Sequence, residues 1–106
     1  MDYHAGECVA ILGGGTIGLF TAQWAKIFGA KKVVVFDISP ERLELAKKLG
    51  VDEGINTLDE DFMNQAMAVT DGKGFGYIYE TAGVTTTMKY AFELAANKAL
   101  SLIHIS

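Results

Sequence analysis

The chain has 106 residues, half of them apolar and about a fifth charged, which suits one folded domain around one core and leaves no room for two. Its net charge of −4 argues against a nucleic acid or an anionic membrane held by bulk electrostatics, and a lone cysteine excludes an internal disulfide or a zinc site built from several thiolates. Glycine appears 12 times and proline once, which points to tight backbone turns inside regular structure rather than to a flexible linker.

Cys8-Val9-Ala10-Ile11-Leu12 reads as a short, wholly apolar strand. Beyond Gly13, Gly14 and Gly15, the residues Ile17, Phe20, Trp24 and Ile27 recur at helical spacing and predict a buried helix that stops at Gly29. The uncharged run from Cys8 to Ala25 imitates a membrane span in length, but the glycines and the polar Thr16, Thr21 and Gln23 interrupt it. Asp2 and Glu7 stand where a signal peptide would carry basic residues, so the chain is expected in the cytoplasm, away from membranes. Val33-Val34-Val35-Phe36 is a second apolar strand, rich in β-branched residues. Ser39-Pro40 follows as an N-cap hydroxyl and a proline at the first helical position, opening a helix that carries Leu45, Ala46 and Leu49 and ends at Gly50. Glu44 and Lys48 are spaced to pair on that helix, for roughly 0.2–0.5 kcal/mol and no functional meaning.

The second half repeats the rhythm more faintly. Gly54-Ile55-Asn56 is a candidate strand; Asp59 to Val69 predicts a helix with Phe62, Ala66 and Val69 inward; and Asp71-Gly72-Lys73-Gly74 is a turn. Tyr77-Ile78-Tyr79 predicts a strand, Thr86 to Ala96 a helix, and Leu100 to Ile105 a last strand. Apolar strands alternating with helices specify an α/β domain: a doubly wound parallel sheet of about five strands, of Rossmann type, with helices on both faces.

Gly13, Gly15 and Gly18 form G-x-G-x-x-G between an apolar strand and a helix, the context in which the pattern carries a mechanism. Gly13 would make the tight turn, Gly15 would let a pyrophosphate approach the backbone, and Gly18 would bring the helix close to the sheet. Unpaired N–H groups and the positive dipole end at the helix start favour a phosphate there. Asp37, about 20 residues beyond Gly18 at the end of the second apolar strand, can accept hydrogen bonds from both hydroxyls of an adenosine ribose. It would repel a 2′-phosphate, so NAD is expected over NADP. The competing account is glycines serving only a sharp turn, with Asp37 a solvated strand-end residue. Arg42 could reach back to the adenosine end of the cofactor or lie solvated on its helix. Glu80-Thr81-Ala82-Gly83-Val84, after the fourth strand, could lay a ribose or nicotinamide against backbone or could simply turn the chain.

The run Cys8 to Leu19, then Asp37-Ile38-Ser39-Pro40-Glu41-Arg42-Leu43 with Ala46-Lys47-Lys48-Leu49-Gly50, then Glu80-Thr81-Ala82-Gly83, resembles the medium-chain zinc-type dehydrogenases, in their alcohol, sorbitol and polyol-phosphate branch. The resemblance extends from about Gly6 to Leu100. It implies NAD contacts at Gly15, Thr16, Ile17, Asp37, Arg42 and the loop Ala82, Gly83 and Val84. It also implies a much longer parent enzyme, whose separate catalytic domain holds zinc through a cysteine, a histidine and an acid. Nothing in this chain matches those ligands: Cys8 lies in the first strand, and His4 and His104 have no ligand partners. The family's usual glycine after Leu100 and its sixth strand are absent, as is the acid that often stands where Gly76 is. The expectation is therefore a cofactor-domain fragment that binds NAD without turnover, with no catalytic residue of its own and a sheet edge open to a second copy. Two alternatives accompany it: a non-catalytic, NAD-responsive interaction module, and an S-adenosylmethionine methyltransferase domain.

Overall fold

Val33, Val34, Val35 and Phe36 are all fully buried, so both faces of the strand they form are covered, as expected of the middle of a parallel sheet. The computed structural model describes residues 7–80 and the backbone of 101–104. It contains β1 (Cys8–Leu12), α1 (Thr16–Ile27), β2 (Lys32–Asp37), α2 (Pro40–Lys48), β3 (Glu53–Asn56), α3 (Phe62–Val69), β4 (Tyr77–Glu80) and β5 (Ser101–His104). The strands form one five-stranded sheet in the order β3-β2-β1-β4-β5, parallel throughout. That order places β1 at the centre, with Leu12 level with Phe36 on one side and Glu80 on the other. The predicted helix from Thr86 to Ala96 lies outside the described residues.

The alternating side chains of each strand feed two cores. On one face Val9, Ile11, Val33 and Val35 pack against Ala22 and Ala25 of α1 and Leu43 and Ala46 of α2. On the other, Ala10, Leu12, Val34, Phe36 and Ile55 meet Ala66 of α3, with Phe62, Met63 and Val69 packed at its margin. Helices therefore cover both faces, and the inward set predicted for α3 is the one found. That helix is shorter than the sequence suggests, because residues 57–61 form turns before it. Buried Thr70 closes it: its Oγ1 donates to the Ala66 carbonyl at 3.2 Å and accepts the Gly74 N–H at 3.0 Å, folding the predicted Asp71–Gly74 turn back on the helix end.

Two helix faces differ from expectation. In α1 the buried positions are Gly18, Ala22 and Ala25, while Ile17, Phe20, Trp24 and Ile27 face outward. In α2 Leu43 and Ala46 are buried, and Leu45 and Leu49 are exposed. Periodicity locates an apolar stripe but does not say which face meets the sheet; here small residues take that face and let α1 lie close. Gly29 ends α1 as predicted, in the left-handed region at φ +93°, with Ala30 N–H donating to the Ala25 carbonyl at 3.1 Å. Ser39 caps α2, its hydroxyl accepting the Arg42 N–H at 3.4 Å ahead of Pro40.

Candidate functional site

The carboxyl ends of β1 and β2 lie side by side, and the site is built where the chain leaves both. Gly13 leaves β1 with φ +108°, a conformation only glycine adopts freely, and its N–H donates to the Phe36 carbonyl at 2.7 Å. The next N–H, of Gly14, donates to Asp37 Oδ2 at 2.6 Å. Gly15 is the N-cap of α1, with no side chain capping the helix and no acidic residue in its first turn. The first N–H groups of α1 are thus left without a protein side-chain acceptor at a positive dipole end, the local chemistry that attracts an anion.

The glycines have different reasons to be there. A Cβ at Gly18 would lie 1.9 Å from the Gly13 carbonyl oxygen, so α1 packs on the turn that precedes it as well as on Ile11 of the sheet. A Cβ at Gly15 meets no protein atom within 4 Å, so nothing in the protein itself demands glycine there. Gly14 was not singled out from the sequence: its Cβ would stand 3.0 Å from Asp37 Oδ2, which makes it the contact between turn and acid. The triple-glycine run held the signal, but the middle position of G-x-G is formally free. Thr16 and Ile17 follow on the exposed side of the first turn of α1.

Asp37 is not a solvated strand-end residue; it is only 5% exposed. Its Oδ1 accepts the N–H groups of Ile38 at 2.6 Å and Ser39 at 3.1 Å, while Oδ2 takes that of Gly14. Arg42 has a side chain that is 58% exposed, and its Nη1 lies 3.7 Å from Asp37 Oδ2. Pairing with this carboxylate offsets the unfavourable place of a cation near the start of α2. Asp37 also anchors the neighbouring strand end, its carbonyl accepting the Thr57 N–H at 3.1 Å. Thr57 Oγ1 is buried there with no partner among the described residues, a second feature that the sequence reading missed. Gly13, Gly15, Thr16, Ile17, Gly18, Asp37 and Arg42 are therefore brought to one edge of the sheet. Ala82, Gly83 and Val84 lie outside the described residues; in the sequence they follow Thr81, the residue after Glu80 at the end of β4, the strand beside β1.

Elsewhere the chemistry is sparse. Cys8 is a buried core thiol whose pKa is raised by burial, against the lowering influence of Lys31 and Lys32. Among the described residues no group of His, Cys, Asp and Glu could hold a metal ion, and no helix is long and apolar enough to cross a membrane.

Comparison with known proteins agrees with this geometry. The sequence profile of the zinc-binding dehydrogenases matches residues 16–103. The sorbitol dehydrogenase of Bacillus subtilis is 37% identical over 86 residues, 81% of this chain and 24% of that protein. The class-3 alcohol dehydrogenase of Oryza sativa is 41% identical over 92 residues, 85% of this chain and 24% of that protein. The solved alcohol dehydrogenase of Thermus sp. ATN1 superposes with a TM-score of 0.80 at 28% identity, over 98% of this chain and 31% of its own. The chain thus spans about a quarter of the length of the curated relatives it matches. A parallel sheet with a glycine turn at its centre, matched along most of its length by this profile and these relatives, makes the chain a member of the zinc-binding dehydrogenase family.

Proposed function

We propose that this chain is the NAD-binding domain of a zinc-dependent alcohol or polyol dehydrogenase, and that alone it binds NAD without turning over an alcohol. The observation that carries the reading is the hydrogen bond from Gly14 N–H to Asp37 Oδ2, which joins the glycine turn to the acid at the end of β2. NAD fits this edge. The uncapped start of α1, with Gly15, Thr16 and Ile17, would receive the pyrophosphate through backbone N–H groups. Gly13 and Gly18 hold the turn in place. The Asp37 carboxylate would accept the ribose hydroxyls and disfavour a 2′-phosphate, with Arg42 alongside the adenosine end. Ala82, Gly83 and Val84 would complete the nicotinamide side. When bound, NAD supplies the hydride acceptor.

Zinc does not fit the described residues, so no step is derived through a metal here; the carbonyl-polarising group belongs to the catalytic part of a longer enzyme. Polyols or their phosphates are the substrates we assign to that enzyme, supported by the sorbitol dehydrogenase likeness. Family membership favours a dinucleotide over S-adenosylmethionine. Calorimetric titration tests the reading: NAD binds, NADP binds at least about tenfold more weakly, and Asp37→Ser narrows that gap. No heat with millimolar NAD would defeat the binding proposal, and sustained alcohol oxidation by this chain alone would defeat the claim of no turnover.

A further inference from the structure

The end of α3 carries a reactive pair that cofactor binding does not use. Asp71 precedes Gly72 in the one Asp-Gly step of the chain, and no Asn-Gly step occurs. Both residues are exposed, and a Cβ at Gly72 would meet no atom within 4 Å, so the space over this peptide bond is open. Among the described residues Asp71 is the only non-glycine with a positive φ, at +57°. That conformation follows from how the helix stops. The Asp71 N–H donates to the Ala68 carbonyl at 3.3 Å and the Gly72 N–H to the Met67 carbonyl at 2.7 Å, the paired bonds of a Schellman closure with aspartate where glycine is usual. Buried Thr70 steadies the turn: its Oγ1 accepts the Gly74 N–H at 3.0 Å and its carbonyl the Lys73 N–H at 3.1 Å.

We propose that Asp71 and Gly72 form a site of spontaneous isoaspartate formation, and that the closure of α3 holds the reaction off while the helix end is folded. In this reaction the Gly72 nitrogen attacks the side-chain carboxyl carbon of Asp71. The new C–N bond closes a five-membered succinimide, while the amide proton and the carboxyl hydroxyl leave as water. Water then adds at the main-chain carbonyl carbon of Asp71 and breaks its bond to the Gly72 nitrogen. The chain now runs through the side-chain carbons, as isoaspartate of unchanged mass, and only water has been released and taken up. Glycine favours the ring because no side chain hinders its nitrogen. The fold opposes it: the attacking nitrogen holds the Met67 carbonyl through its N–H and must give up that bond to turn toward the carboxyl. The rate therefore follows how often the end of α3 opens. The product has one more main-chain atom between Asp71 and Gly72, so the two closing bonds cannot both re-form. It leaves α3, whose Ala66 lies in the core, without its fastening. This inference does not depend on NAD binding.

The test ages the full chain at neutral pH, folded in buffer and unfolded in guanidinium chloride, and locates isoaspartate by peptide mapping with electron-transfer fragmentation. Isoaspartate is expected at Asp71 in both, forming at least about tenfold more slowly in the folded chain. Across sub-denaturing guanidinium concentrations its rate should rise in step with hydrogen exchange at the Gly72 amide. Thr70→Val removes the acceptor of the Gly74 N–H and should speed the reaction at least about threefold in buffer, with no change in the unfolded chain. Aged chain carrying isoaspartate should melt at least about 3 °C below fresh chain. Equal rates in the folded and unfolded chain overturn the proposal, as does an unfolded chain that forms no isoaspartate at Asp71. If Thr70→Val does not fold, the exchange series on the parent decides: isoaspartate formation indifferent to Gly72 exchange overturns the proposal.

Discussion

Gly18→Ala tests the geometry of the turn because structure and helix propensity pull in opposite directions. In a helix interior, alanine is favoured over glycine by about 1 kcal/mol. The added Cβ, however, would stand 1.9 Å from the Gly13 carbonyl oxygen and 3.0 Å from its carbonyl carbon. Neither atom can swing aside as a flexible side chain would: Gly13 is held at φ +108° with its N–H on the Phe36 carbonyl. Restoring an ordinary contact moves α1 away from the turn by more than an ångström, an overpacking whose usual cost reaches about 3 kcal/mol. The net expectation is a loss of about 2 kcal/mol, or roughly 8–15 °C in melting temperature for a domain of this size. Gly15→Ala is the matched control, because its Cβ meets no protein atom and its φ of −71° is ordinary. That variant should lose no more than about 1 kcal/mol, the cost of alanine for glycine at an N-cap, yet bind NAD at least about tenfold more weakly, since its Cβ occupies the approach to the backbone. Urea unfolding and calorimetric titration of the two variants separate packing from binding. A Gly18→Ala chain as stable as the parent would refute the packing argument. A Gly15→Ala chain with undiminished NAD affinity would refute the placement of the pyrophosphate.

Asp37→Asn is expected to destabilise the chain by about 1–3 kcal/mol without any ligand, because three N–H groups share two carboxylate oxygens and an amide can offer only one; urea unfolding measures it. Asp52→Ala should cost about 1 kcal/mol and leave NAD affinity unchanged: its carboxylate accepts the Val33 N–H at 2.7 Å, and its half-exposed pairing with Lys26 adds little. Cys8 should resist an alkylating reagent in the folded chain at pH 8 and react on unfolding. Burial raises its pKa in the folded state, so its contribution is fully present below the unfolded thiol's pKa and is lost as pH rises through the folded value; melting temperature against pH in the alkaline range shows that loss.

Much of the fold was legible because parallel strands buried on both faces leave continuous apolar runs, and Gly13, Gly29, Ser39 and Gly50 mark the boundaries between them. The facing of α1 was not legible. Phe20 and Trp24 outweigh Ala22 and Ala25 in any apolar count, but a helix lying close on a sheet needs small residues at the contact, and that distance is a tertiary property. The candidate site was legible as residue types in order, from Gly13 to Asp37. Its internal bonding was not, since the approach of Gly14 to Asp37 depends on how β1 and β2 align, with Leu12 level with Phe36. The place of Thr57 was hidden for the same reason: only the alignment of β3 with β2 brings its N–H to the Asp37 carbonyl.

The bonds from Gly13 to the Phe36 carbonyl and from Gly14 to Asp37 have a consequence for how affinity is distributed. They tie two segments far apart in sequence into one rigid surface before any ligand arrives, so the ordering of loop and carboxylate is charged to folding and not to binding. Substitutions at the turn and at the acid should therefore be strongly non-additive, each removing most of what the other would remove. A chain that loses stability by unfastening this corner loses recognition at the same time, even where every atom that would touch the cofactor is still present.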